Sequence, residues 1–75
     1  MVVTLKLFNQ MEPGFIAKHL QMPYPPRVGE MFTFATLPEP YQQGVGPWHF
    51  RVSDIEYLVG DDDGYVIVVT CRAVM

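Results

Sequence analysis

The chain has 75 residues, enough for one domain with a small core, because a chain this short hides only about 60% of the surface that its unfolded form exposes. Hydrophobic residues make up 49% of the sequence and charged residues 17%, so apolar side chains are in surplus and some are expected at an interface. The formal net charge is −3 and the 5 Lys and Arg residues are scattered, which argues against a protein that tracks a phosphate backbone or an anionic membrane.

The first predicted element is a strand over residues 2–8, in which Val3, Leu5 and Leu7 share one face. This stretch contains Lys6 and is too short for the apolar region of a signal peptide. No run in the sequence approaches the roughly 18 apolar residues of a membrane span. We therefore expect a cytoplasmic protein that does not enter a membrane.

The segment FIAKHLQM, residues 15–22, follows a turn signal at Glu12, Pro13 and Gly14 and fits two structures. A short helix over residues 14–21 would have about two turns and would be marginally stable alone. A strand would instead pair with the first strand as a hairpin. The sequence favours the strand and leaves the helix as the alternative.

Prolines make residues 23–30, PYPPRVGE, a rigid and extended connector, because proline fixes φ and has no amide donor. A third strand is predicted over residues 30–36. Its alternation places Phe32 and Phe34 toward the core.

The segment LPEPYQQGVGPW, residues 37–48, holds prolines and glycines around Tyr41 and Trp48. It is too interrupted for regular structure and longer than a usual hairpin loop. Loops of this length in small domains are often functional. We expect this Pro/aromatic loop and the connector to form the main binding surface.

Residues 48–74 predict two long antiparallel strands joined by an acidic turn, residues 60–64, in which either glycine can supply a positive φ. The apolar alternation predicts that Tyr57 lies opposite Ile67. The alternation slips by one position in the first of these strands. A β-bulge at Ser53 and Asp54 restores it.

In this register one face of the hairpin is apolar along its whole length, and the rest of the chain is expected to cover it. Its members are Phe50, Val52, Ile55, Tyr57, Val59, Tyr65, Ile67, Val69, Cys71 and Ala73. Cys71 is therefore predicted to be a buried thiol that reacts slowly. The opposite face carries Val66, Val68 and Val74. Either the curled chain covers the last strand on both sides, or this face contacts a partner or a second copy.

Five strands joined by turns and loops describe an antiparallel meander rather than βαβ units. The sequence thus predicts an all-β single domain over residues 1–75, a five-stranded meander curled into an SH3-like barrel or a half-open roll. The likeness to SH3-like barrels rests on strand count and spacing, and it carries no function.

No residue set predicts catalysis. His19 and His49 fall on different predicted strands, and a zinc site would need further ligands in suitable spacing. The aspartates at 61–63 lack the alternate spacing and closing glutamate of a calcium loop. Asp54 and Glu56 share a face that is expected in solvent. We therefore predict neither an enzyme nor a metal or cofactor site.

The remaining signal is a group of aromatic side chains held among prolines, since Tyr and Trp are enriched at interface hot spots. We expect a non-enzymatic protein-interaction module that binds a protein of unknown identity, or a second copy through the last strand. The candidate binding residues are Tyr24, Tyr41, Trp48, His49 and Arg51. Trp48 would alternatively plug the barrel end. The alternative function is a small barrel that binds single-stranded nucleic acid by stacking, which the net charge of −3 disfavours.

Overall fold

A computed structural model describes residues 1–9, 14–35 and 48–74 of the chain. These residues form five strands and no helix, and the strands make one sheet curled into a half-barrel. The strands are β1 (Val2–Phe8), β2 (Ile16–Gln21), β3 (Met31–Phe34), β4 (Trp48–Val59) and β5 (Tyr65–Ala73). The predicted all-β class is confirmed, and the segment that could have been a short helix is strand β2.

The strand order is β2-β1-β5-β4-β3, so the sheet is mixed and the predicted meander connectivity is wrong. β1 pairs antiparallel with β2 and parallel with β5, where Val3 lies opposite Ile67 and Phe8 lies opposite Arg72. This order places β5 in the middle of the sheet. Strands with continuous apolar runs are stable there because both neighbours satisfy the backbone and both faces can be covered. The run from Ile67 to Val69, in which all three side chains are buried, fits that position.

The core lies on the inner face of the half-barrel, where side chains from β1, β4 and β5 meet. Its buried members are Val3, Leu5, Leu7, Phe50, Val52, Ile67, Val69 and Cys71. Phe32 and Phe34 pack partly buried against this cluster, as their alternation predicts. The sequence therefore identified the inner faces of β1 and β3 correctly.

The β4–β5 hairpin has the predicted register. Tyr57 lies opposite Ile67, and the pairing shifts between Val52 and Asp54. Ser53 is the extra residue, and its hydroxyl donates a hydrogen bond of 3.2 Å to the carbonyl oxygen of Thr70. The β-bulge inferred from the slip in alternation is confirmed.

The turn at residues 60–64 differs from expectation in one detail. The positive φ, 64°, falls on Asp63 rather than on Gly60 or Gly64. Aspartate tolerates the left-handed region better than most residues. The Gly60 N–H donates to the Gly64 carbonyl at 2.7 Å, and the Gly64 N–H donates to Oδ1 of Asp62 at 3.1 Å. These bonds hold the turn closed.

The inner face of the hairpin is not buried along its whole length, which corrects the prediction. Ile67 is 3% exposed, whereas Tyr57, Val59 and Tyr65 are 54%, 68% and 59% exposed. The pairing of the neighbouring strands explains the change, because β1 meets β5 from Ile67 onward and β3 meets β4 only as far as Arg51. The last part of the hairpin extends beyond the described strands that flank it, β1 and β3.

Candidate functional site

The part of the hairpin beyond its neighbouring strands, residues 57–66, is called the hairpin end below. It exposes apolar side chains on both faces. Tyr57, Val59 and Tyr65 lie toward the inner face, while Leu58 and Val66, each 50% exposed, lie toward the outer face. Exposed apolar patches are one of the features by which interaction surfaces of small proteins are recognised, so the hairpin end is a candidate site.

The two tyrosines of the hairpin end hold each other in place. The centroids of the Tyr57 and Tyr65 rings are 5.8 Å apart at an interplanar angle of 53°, a favourable tilted arrangement. A groove of about 340 Å³ runs beside them and is lined by Met1, Val2, Tyr65, Val66 and Ile67. Tyr65 of the aromatic pair therefore contributes to the wall of a concave surface.

The backbone of β4 is open on one side at the hairpin end. Successive residues of a strand point their N–H and C=O groups to opposite sides. Because Gly60 bonds to Gly64, the groups of Leu58 point toward β5, and those of Tyr57 and Val59 point away from it. Among the described residues, no strand pairs with that side. Nearer the bulge, the N–H of Ile55 donates to Oδ1 of Asp54 at 3.1 Å.

Negative charge is concentrated around the hairpin end. Of the 8 acidic residues in the chain, five lie within residues 54–63, where DIEYLVGDDD contains Asp54, Glu56 and the aspartates at 61–63. No Lys or Arg occurs between Arg51 and Arg72. The side chains of Asp54 and Glu56 are exposed on the outer side of the open edge. An approaching group thus meets apolar side chains alone on the inner face, and carboxylates together with Leu58 and Val66 on the outer face.

The binding residues predicted from the sequence lie elsewhere. Tyr24 is 61% exposed in the connector and lines an open groove of about 470 Å³ with Arg27 and Glu30. The structure brings Arg51 to this connector, because Nη1 of Arg51 donates to the carbonyl oxygen of Gly29 at 3.4 Å. Tyr41 and most of the Pro/aromatic loop lie outside the described residues.

Trp48 and His49 point to opposite faces of β4, so they do not form one patch. Trp48 is half-buried and packs against the core, the arrangement expected if it covers the end of the half-barrel. His49 is exposed, and its Nδ1 lies 2.9 Å from Oγ1 of Thr33 on β3. His19 makes the same cross-strand contact with Thr4 at 3.0 Å. Each histidine thus has its own hydroxyl partner.

A cluster that the sequence did not reveal lies near the opposite end of the sheet. The Phe8 and Phe15 rings are 5.3 Å apart, with Nζ of Lys6 at 5.1 Å from the Phe15 centroid and Cζ of Arg72 at 5.3 Å from the Phe8 centroid. Cation–π contacts of this kind contribute about 0.5–1 kcal/mol at exposed sites. Arg51 lies opposite Arg72 and adds a further positive charge. This cluster needs the parallel β1·β5 pairing, which no local pattern indicates.

The hairpin end was also missed in the sequence, although strand length could have indicated it. The strands of the hairpin, β4 and β5, have 12 and 9 residues, whereas the strands that flank them, β3 and β1, have 4 and 7 and are too short to run beside the whole hairpin. Among the described residues, no group of three or more His, Cys, Asp or Glu could hold a metal ion. The same part of the chain contains no helix able to cross a membrane.

Cys71 is fully buried, which confirms its predicted position. Loss of hydration on burial raises the pKa of its thiol to about 11. Little thiolate forms at neutral pH, so this side chain acts as part of the core.

Comparisons with known protein families, with curated proteins and with solved structures gave no significant match to this chain.

Proposed function

We propose that this protein is a non-enzymatic protein-interaction module of the cytoplasm and that it binds its partner at the hairpin end. One observation carries the proposal: five large apolar side chains there, on both faces of a two-stranded projection, are at least half exposed. Complete burial of a fully exposed side chain of this size contributes roughly 1.5–3 kcal/mol, so covering one that is half exposed contributes about half of that. A partner that covers several of them therefore gains several kcal/mol before the entropic cost of association.

The surface predicted from the sequence remains a prediction within this proposal. Tyr24 is exposed beside Arg27 and Glu30, which suits a second and smaller contact region. Self-association through the last strand also remains a prediction. Because β5 is paired on both sides over residues 67–72, a second copy would have to contact its outer face near Val66.

The proposal is tested by capture of partners from an extract of the native cell with matched variants. Val66→Ser removes an exposed valine of the hairpin end, and Val74→Ser removes an exposed valine just past the other end of β5, 36% exposed. We expect Val66→Ser to weaken capture at least about tenfold, as loss of one hot-spot contact does, and Val74→Ser to leave it unchanged. Equal capture by both variants would contradict the proposed site.

Binding of single-stranded nucleic acid is the second candidate, and the cluster of Lys6, Phe8, Phe15 and Arg72 favours it. Cations beside aromatic rings suit phosphates and stacked bases. The net charge of −3 opposes it. A gel shift with labelled oligonucleotides at low and high salt separates the two, since binding that disappears with salt and with Arg72→Gln would support the nucleic-acid function.

A further inference from the structure

We propose that the open edge of β4, residues 54–59, accepts an extended segment of the partner as an added strand, and that this segment alternates apolar and basic side chains. The inference rests on the proposed function and names the chemistry of the partner.

The backbone of β4 supports strand addition at this edge. Unpaired N–H and C=O groups in a row are a template for another strand, and proteins usually protect such edges with lysine, proline or very short strands. Residues 54–59, DIEYLV, contain neither lysine nor proline and stay in regular β-conformation. The open groups belong to Tyr57 and Val59, while Asp54 already accepts the hydrogen bond of the Ile55 N–H. The pairing would therefore start at the hairpin end and stop at the bulge.

The side chains of the edge define the sequence of the added strand. Alternate residues of that strand lie beside alternate residues of β4, on the same face of the sheet. On the inner side they meet Tyr57 and Val59, which favour apolar contacts. On the outer side they meet the carboxylates of Asp54 and Glu56, which favour Lys or Arg. They also meet Leu58, against which the aliphatic part of a long basic side chain packs. A segment with apolar and basic residues in alternation satisfies both faces at once.

Charge also argues against a second copy of this chain as the occupant. If the β4 edges of two copies paired, residues 54–63 of one copy would lie beside the same residues of the other. Each of these stretches carries five acidic residues, and each chain has a net charge of −3. Like charges at neighbouring positions destabilise a strand pair. A basic segment from another protein is instead attracted by these carboxylates, and this attraction speeds its association.

Three synthetic heptapeptides test the inference with the unmodified protein. The first alternates Val and Lys, the second alternates Val and Glu, and the third has the composition of the first in blocks of like residues. We expect the alternating Val/Lys peptide to bind at least about tenfold more tightly than either of the others, because only it matches both faces. The advantage over the Val/Glu peptide should shrink as salt rises.

Amide hydrogen exchange locates the bound peptide. Strand addition should slow exchange at Tyr57 and Val59 at least about tenfold, since their N–H groups gain acceptors, while Leu58 is already paired with β5 and should change little. Protection confined to other residues, or tighter binding of the Val/Glu or block peptide, would overturn the inference. A concentration-dependent dimer that forms through this edge without any peptide would also overturn it.

A pair of variants separates backbone pairing from side-chain docking. Val59→Pro removes an N–H on the open side, where proline is tolerated in edge strands, and Val59→Thr keeps it. Binding of the Val/Lys peptide should be lost in the first variant and largely kept in the second. Equal binding to both variants would refute strand addition. If both Val59 variants bind equally, but Val66→Ser still weakens capture of the native partner, the proposed interaction function stands while strand addition is refuted.

Discussion

Tyr57 and Ile67 lie opposite each other across β4 and β5, yet Tyr57 is 54% exposed and Ile67 is 3% exposed. The difference in exposure comes from the strand that lies on the far side of each residue. Ile67 lies beside Val3 of β1, whereas no described strand lies beside Tyr57 on the other side. This pair therefore marks the point where the core ends and the exposed hairpin end begins.

Deletion of Ser53 should leave the protein folded. Ser53 is the extra residue of the bulge, so its removal keeps Val52 opposite Cys71 and Asp54 opposite Thr70 and restores regular alternation. The expected cost is about 1 kcal/mol, mainly the lost hydrogen bond to the Thr70 carbonyl. Urea unfolding measures it.

Deletion of Arg51 is the matched control, because it puts the buried Phe50 out of phase with Val52. We expect that deletion to abolish folding. If loss of Ser53 unfolds the protein as completely as loss of Arg51, the bulge has been assigned wrongly.

Cys71 should react slowly with thiol reagents while the protein is folded. Burial raises the pKa of its thiol from 9.0 to about 11, so its thiolate fraction at neutral pH falls about a hundredfold, and the side chain is also inaccessible. A Ser53→Cys, Cys71→Ala variant supplies an exposed thiol for comparison. Labelling of the native Cys71 at the same rate as that exposed thiol would contradict its buried position.

The same thiol should make stability fall at alkaline pH. Above pH 9 the unfolded chain loses the Cys71 proton while the folded protein keeps it up to a pKa of about 11, so the folded state binds more protons. The stabilising contribution is complete below pH 9 and is lost as pH rises to 11. We expect a loss of about 2 to 3 kcal/mol relative to Cys71→Ala, measured by urea unfolding at each pH. Parallel pH profiles for the two proteins would refute this.

Trp48→Ala should lower the stability of the protein and leave its affinity for the partner largely unchanged. The ring packs against the core at the end of β4 that lies farthest from the hairpin end, so its removal should cost about 3 kcal/mol. His49→Ala, an exposed change on the opposite face, should cost less than about 1 kcal/mol. Unchanged melting temperature with lost partner binding would instead make Trp48 the binding anchor that the sequence suggested.

The sequence predicted local pairing well because alternation along a strand decides which side chains share a face. It therefore located the Ser53 bulge and the pairing of Tyr57 with Ile67. It did not predict that β1 joins β5 in parallel, since the alternation of Val3, Leu5 and Leu7 is the same whichever strand lies beside them.

The exposure of Tyr57 likewise depends on the lengths of β1 and β3, which are properties of other segments. The contact of Arg72 with Phe8 follows from the parallel pair in the same way. Of the candidate site, the sequence indicated exposed aromatic side chains and an apolar surplus, and it assigned them to the connector and loop rather than to the hairpin end.

Photo-crosslinking in the native cell tests most directly whether the hairpin end contacts a partner. A benzophenone amino acid replaces either Val66, which is 50% exposed at the hairpin end, or Val74, which is 36% exposed beyond the other end of β5. We predict that irradiation joins the protein to another protein from position 66 and not from position 74. Adducts from position 74 alone, or none from position 66 while the protein is folded, would contradict binding at the hairpin end.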